Sequence, residues 1–200
     1  TRMKIATAAY PIDWHNRWNE FVGKLRVWVR TAAENGASLL VFPENGALEL
    51  ASLAGEENAK DPARAREAVS ARIRDVDDLH ASLAREFGVH ICASSGPLKI
   101  EGGVKFNRAR LFAPTGAVGF QDKQLPTAFE IEAEQISAGT VGRVFETDLG
   151  RIGILPGSDA AFGAQALGMA AAGADILLVP TCAPDVRAFW RARIAARARA

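Results

Sequence analysis

The chain has 200 residues, 48% of them hydrophobic and 24% charged, and its 24 Lys and Arg against 23 Asp and Glu leave a net charge of +1. That balance belongs to an ordinary soluble globular domain long enough for one sizeable core. It lacks the charge excess that draws a protein to nucleic acid or to an anionic membrane. No apolar run approaches the about 20 residues of a membrane span. The N-terminus enters a strand-like segment at once, without a signal-peptide pattern, so a single-domain cytoplasmic protein is expected. The two cysteines, Cys92 and Cys182, lie in apolar strand-like runs, which argues against a disulfide scaffold or a zinc cluster. His15, His80 and His90 are scattered, without metal-ligand spacing, and read as structural or surface residues; no metal and no organic cofactor is expected.

In chain order, residues 4–10 (KIATAAY) read as a strand closed by Pro11. A helix follows, with Asp13 or Asn16 as candidate cap and Trp18, Val22, Leu25, Val29 and Ala32 as its buried stripe. Asn35-Gly36 ends it as a left-handed cap. Residues 38–42 (SLLVF) are a continuous apolar strand of the kind buried on both faces, and it runs out at Pro43-Glu44. Asp61-Pro62 opens a long helix with Val69, Ile73, Val76, Leu83 and Phe87 on its apolar face and Gly88 at its end. Residues 89–93 are a strand, and 106–112 and 117–121 are a hairpin around Pro114-Thr115-Gly116. A long polar stretch, 122–142, has the look of a functional loop.

Residues 144–162 (VFETDLGRIGILPGSDAAF) read as strand, sharp turn at Pro156-Gly157-Ser158-Asp159, and the start of a helix reaching to 172, with Ser158 or Asp159 as its cap. Such a turn lifts one residue to the mouth of a sheet, where a hydrolase places its nucleophile. A strand over 176–179 and a helix over 185–200, with Val186, Phe189, Trp190 and Ile194 on its apolar side, complete the pattern. Residues 36–43 (GASLLVFP) echo 173–180 (GADILLVP) without gaps, as two helix–glycine–strand units in two halves of one sandwich would. Mixed hairpins and crossovers point to an α/β protein with two sheets and helices on their outer faces.

Three side chains stand out for chemistry. Glu44 follows the carboxyl end of a buried strand, where sites of layered α/β proteins collect, and apolar neighbours there raise a carboxyl pKa toward that of a general base. Lys123 follows the strand-like 117–121 and is suited to holding an oxyanion. Glu130, in Thr127-Ala128-Phe129-Glu130, is close enough in sequence to share its site. Each by itself also reads as a solvated surface charge.

Together these segments resemble the nitrilase superfamily, the carbon–nitrogen hydrolases, over nearly the whole chain. Leu40-Val41-Phe42-Pro43-Glu44 is similar to the segment with that family's general-base glutamate. Residues 122–130 (DKQLPTAFE) resemble its lysine loop, with Glu130 as the second glutamate that positions lysine and substrate. Residues 153–162 and 173–181 resemble its nucleophile elbow, the helix after it and the next strand. The resemblance implies a four-layer α-β-β-α sandwich, further strands beyond residue 200, a homodimer or larger, and a small amide, carbamoyl compound or nitrile as substrate.

The chain departs from the pattern at the nucleophile. Aligning on Asp159 and Phe162 puts Gly157 where the family has cysteine. An introduced Cys→Gly change, a natural member without hydrolysis, or a switch to Ser158 would each account for it. Cys182, past the next strand, reads as a small hydrophobe near the pocket. The implied function is a cysteine acyl-enzyme hydrolase in an inactive form, with Glu44, Lys123, Glu130 and the nucleophile position Gly157 as catalytic positions. The alternative is a non-catalytic binding or scaffold protein, for which Trp190 with Arg187, Arg191, Arg193, Arg197 and Arg199 offers a face. A two-carboxylate glycosidase using Glu44 and Glu130 leaves Lys123 without a role.

Overall fold

The structure, a computed structural model, describes residues 3–182; the helix expected over 185–200 and its basic face lie outside the described residues. Two sheets form the centre. The first is five-stranded, in the order β1 (Ile5–Thr7), β2 (Leu39–Val41), β3 (His90–Lys99), β4 (Lys105–Phe112) and β5 (Val118–Asp122). The strands β1, β2 and β3 pair parallel, and β3, β4 and β5 pair antiparallel. The second sheet has β6 (Val144–Thr147) antiparallel to β7 (Gly150–Ile154), which is parallel to β8 (Ile176–Leu178).

Strand alternation assembles the layers. Leu39, Cys92, Ala109 and Leu111 of the first sheet meet Ile152, Ile154 and Leu178 of the second in one buried cluster between the sheets. The alternate residues Leu40, Ile91, Ala93 and Phe112 face the other way, onto α1 (Trp18–Glu34) and α3 (Pro62–Phe87), through Phe21, Leu25, Val29, Val69, Val76 and Leu83. On the far side of the second sheet, α5 (Gly163–Ala171) packs Ala166 and Met169 against Leu155 and Ala160. The result is the α-β-β-α sandwich expected from the mixed pattern, because strands buried on both faces need a layer on each. The echo of 36–43 in 173–180 is realised as β2 and β8, one parallel strand in each sheet, each preceded by a glycine at positive φ, +80° at Gly36 and +92° at Gly173. Among the described residues no helix is long and apolar enough to cross a membrane.

Local punctuation is realised where it depends on neighbours in sequence. Asp61 caps α3 by accepting from the Arg64 amide at 2.9 Å, and Gly88 ends it at φ +64°. Other expectations are corrected. The cap of α1 is Arg17, with no side-chain cap bond: Asn16 Oδ1 accepts from Trp14 Nε1 at 3.1 Å, and Asp13 pairs with Lys24 at 2.9 Å. Phe21 takes the buried position expected for Val22. The first strand covers three residues, not seven. The helix expected from 159 begins instead as a 3-10 turn over Gly157–Ala161, and α5 is capped at Phe162 rather than by Ser158 or Asp159.

A 3-10 helix, Gly46–Ala54, and α2 (Glu56–Lys60) fill the stretch between Glu44 and α3. The 3-10 helix is pinned by buried Glu49, which binds Tyr10 at 2.5 Å, Lys24 at 2.6 Å and His15 at 3.2 Å. It thereby fixes the backbone that follows Glu44.

Candidate active site

Glu44, Lys123 and Glu130 meet at one end of the two sheets, each no more than 5% exposed. Each arrives from a different element: Glu44 three residues past β2, Lys123 directly after β5, Glu130 from the short α4 (Ala128–Glu132) inside the polar loop. Lys123 Nζ donates to Glu44 Oε1 at 2.8 Å and to Glu130 Oε2 at 2.7 Å. The geometry of α4 is set locally by a capping box: Thr127 Oγ1 accepts from the Glu130 amide and Glu130 Oε2 accepts from the Thr127 amide at 2.7 Å. Glu130 thus reaches back over its own helix start toward Lys123.

A fourth member escaped the sequence reading. Asn107 on β4 is 2% exposed, and its Nδ2 donates to Glu44 Oε1 and Glu130 Oε1, both at 3.1 Å. Its signal was available: Asn107 shares a strand face with Ala109 and Leu111, so it is a polar side chain on the buried face at the strand's end.

One ammonium serves two buried carboxylates, and they diverge. Burial pushes the Glu44 carboxyl above its ordinary range, with the charge of Glu130 adding to it and Lys123 only partly opposing. Burial pushes on Glu130 in the same direction, but Lys123, the Thr127 amide and Asn107 outweigh it and leave Glu130 below its ordinary value. For Lys123, burial pulls down and the two carboxylates more than restore it, so it ends above its ordinary value. The cluster therefore holds one carboxyl suited to trading protons and one that stays charged beside the ammonium.

The turn at 156–159 lies against this cluster. Gly157 sits at φ +53°, and its amide donates to Pro180 O at 2.8 Å. A Cβ added there would fall within 2.6 Å of Glu44 Cδ and closer still to both carboxylate oxygens. Glu44 thus lies over the Gly157 Cα, in the space any side chain at 157 would need. Ser158 does not offer a replacement nucleophile: its hydroxyl donates to Leu125 O at 2.8 Å.

Asp159, fully buried, accepts from the amides of Gln124 at 2.8 Å and Leu125 at 2.7 Å, which clamps the Lys123 loop onto the turn. Asp159→Ala is expected to cost about 2 kcal/mol, since two partly buried amides lose a charged acceptor. Chemical denaturation measures it, and hydrogen exchange at Gln124 and Leu125 should speed up in step; unchanged exchange there would rule out the clamp.

Cys182 reads in the sequence as a small hydrophobe near the pocket. It is exposed, and its amide donates to Glu44 Oε2 at 3.3 Å. The correction follows from β8 ending at Leu178, so that residue 182 has already left the apolar layer. Cys92 is buried between the sheets as expected. The three histidines are buried in structural roles: His15 on Glu49, His80 on the Val76 carbonyl at 2.8 Å, His90 beside Asp148 at 3.2 Å.

Residues 4–200 match the family model described as carbon-nitrogen hydrolase. A curated relative, "Probable hydrolase YhcX" of Bacillus subtilis (strain 168), is 30% identical over 198 residues, which are 99% of this chain and 38% of that protein. The chain therefore spans well under half the length of this relative. Among solved structures, a carbon-nitrogen hydrolase from Helicobacter pylori superposes with a TM-score of 0.76 at 18% identity, covering 98% of this chain and 67% of that one. An amidase from a Nesterenkonia species, with acrylamide added at its active-site cysteine, gives a TM-score of 0.71 at 23% identity over 94% of this chain and 70% of that one. At these identities the superpositions establish a shared fold.

Proposed function

The chain belongs to the carbon–nitrogen hydrolase family, and from that premise we propose that it carries an amidase-type acyl-transfer site for a small amide, carbamoyl compound or nitrile, with its nucleophile position held by Gly157. One observation carries the reading: the Gly157 Cα lies directly under the Glu44 carboxylate that Lys123 and Asn107 hold in place. A thiol at 157 would stand beside a base whose pKa burial has raised. The Nesterenkonia amidase has its cysteine at its own active site, which supports the same assignment.

With that thiol, Glu44 takes the proton and the thiolate attacks the amide carbon. Lys123 stabilises the oxyanion through the one N–H that its two carboxylates leave free. The leaving amine collects the proton from Glu44, and Glu44 then activates the water that cleaves the thioester. Glu130 stays ionised and keeps Lys123 charged and aimed. With glycine at 157, little amide turnover by this route is expected. The single domain over residues 1–200 and the cytoplasmic setting expected from composition, and the homo-oligomer that the resemblance implies, are part of the same proposal.

A second reading, a non-catalytic scaffold that kept the fold, draws support from the burial of all three charged side chains under a turn without a thiol. Ammonia release by Gly157→Cys from a panel of small amides and nitriles separates the two: release supports the hydrolase reading, and none from any of them favours the scaffold.

A further inference from the structure

We propose that Cys182 is the acyl-accepting thiol that remains at this site, served by the same Glu44 carboxylate that lies over position 157. The proposal rests on the reading of Glu44 and Lys123 as acyl-transfer groups. The chain after β8 passes the site twice over in three residues. Pro180 O takes the Gly157 amide at 2.8 Å, and the Cys182 amide binds Glu44 Oε2 at 3.3 Å. Covalent geometry then keeps the Cys182 sulfur within roughly 7 Å of that oxygen in any rotamer. Burial and Glu44 hold the thiol pKa above its ordinary value and Lys123 only partly opposes them, so the thiol depends on Glu44 to take its proton.

Two further observations point to a ligand here. Cys182 is exposed while Glu44, Lys123 and Glu130 are buried, so an acyl donor from solvent meets the thiol first, with the base and the ammonium behind it. In addition, Asn107 Oδ1 is buried without a hydrogen-bond partner among the described residues. Its nitrogen is committed to the two carboxylates, so the amide cannot flip without setting oxygen against oxygen. An unpaired buried acceptor is costly, and the N–H of a bound amide would satisfy it.

The step balances without a co-reactant. Glu44 takes the proton from Sγ, and the sulfur forms a bond to the acyl carbon. The carbonyl electrons move to oxygen, where the free N–H of Lys123 meets them. Collapse restores the carbonyl and breaks the bond to the leaving nitrogen or oxygen, which takes the proton from Glu44. Water, deprotonated by Glu44, then displaces the sulfur, which recovers that proton.

The test uses the protein as it stands with p-nitrophenyl acetate, followed by intact mass and peptide mapping. One acetyl group on Cys182 and none on Cys92 is expected. Cys182→Ser should lose the thioester adduct, and Glu44→Gln should slow acylation about 100-fold, in the range a general base contributes. Equal acylation with and without Glu44 would reduce Cys182 to an exposed thiol and overturn the proposal, as would absence of the adduct. The double variant Gly157→Cys/Cys182→Ser keeps the two readings apart. If it acylates at 157 while the parent does not react at Cys182, the family chemistry stands and this proposal falls. If neither reacts, both fall.

Discussion

Gly157→Cys should raise ammonia release from small amides at least about 100-fold over the parent chain, the scale that a thiol beside a matched base supplies. It should do so at a cost in stability. Glu44 occupies the volume of the new Cβ, whose nearest neighbours would be the carboxylate oxygens and Cδ at 2.6 Å. These atoms end a flexible side chain, so Glu44 can swing aside, but it must keep Lys123 and Asn107 as partners while doing so. The backbone at φ +53° adds strain for any residue with a Cβ. Crowding and strain together are expected to take about 2–3 kcal/mol, read from denaturant unfolding. Gly157→Ala meets the same crowding without gaining a thiol, and should lose stability and gain nothing. A cysteine variant as stable as the parent and still silent on amides would mean that Glu44 and position 157 do not work together.

Lys123→Met should be the most damaging single change at neutral pH, about 3–5 kcal/mol, because it leaves two buried carboxylates without their ammonium. The loss should depend on pH. Glu44 already titrates above its ordinary range, so over the window from that range up to its raised value the folded state holds the proton more firmly than the unfolded chain. Its contribution to stability therefore falls as pH rises through that window. Glu130 is held below its ordinary value, so its contribution is present above that value and is lost as pH falls through the lowered one. Removing Lys123 takes away the main influence that holds Glu130 down and pushes Glu44 up further. The deficit of the variant relative to the parent should then be largest near pH 8 and shrink toward pH 5, where protonation discharges the pair. Urea unfolding of both proteins at the two pH values measures it. A deficit that is constant with pH would show that Lys123 acts by packing its stem rather than by its charge.

Sequence punctuation carried much of the fold because it acts over a few residues. Asp61-Pro62 and Gly88 bounded α3 correctly, since a cap and a left-handed stop need only adjacent backbone. Where tertiary contacts compete for the same side chains, the reading failed. Asn16 and Asp13 were drawn away from the start of α1 by Trp14 and Lys24. The strand β3 runs on through Gly96 and Pro97, which sequence rules treat as breakers. It can do so because β2 pairs only with His90–Cys92, so Pro97 has β4 alone beside it and needs no second ladder partner. Gly96 is also where Ala47 of the 3-10 helix comes closest, 2.8 Å from where a Cβ would be.

By itself the sequence determined an α/β protein of two sheets with helices outside them, through strand and helix periods and the echo of 36–43 in 173–180, and its resemblance to the carbon–nitrogen hydrolases implied the four-layer sandwich. It also supplied the residues of the candidate site, because the segments that carry Glu44, Lys123 and Glu130 together resemble those of the carbon–nitrogen hydrolases. Only the tertiary structure decided what those residues do to one another. One ammonium between two buried carboxylates splits their pKa values in opposite directions, and that division depends on distances between segments some eighty residues apart in the case of Glu44 and Lys123. It also showed that Glu44 fills the space above Gly157 and that the amide of the exposed Cys182 binds the same carboxylate. Neither fact has a local signature, since both come from how the ends of two separate sheets are brought together.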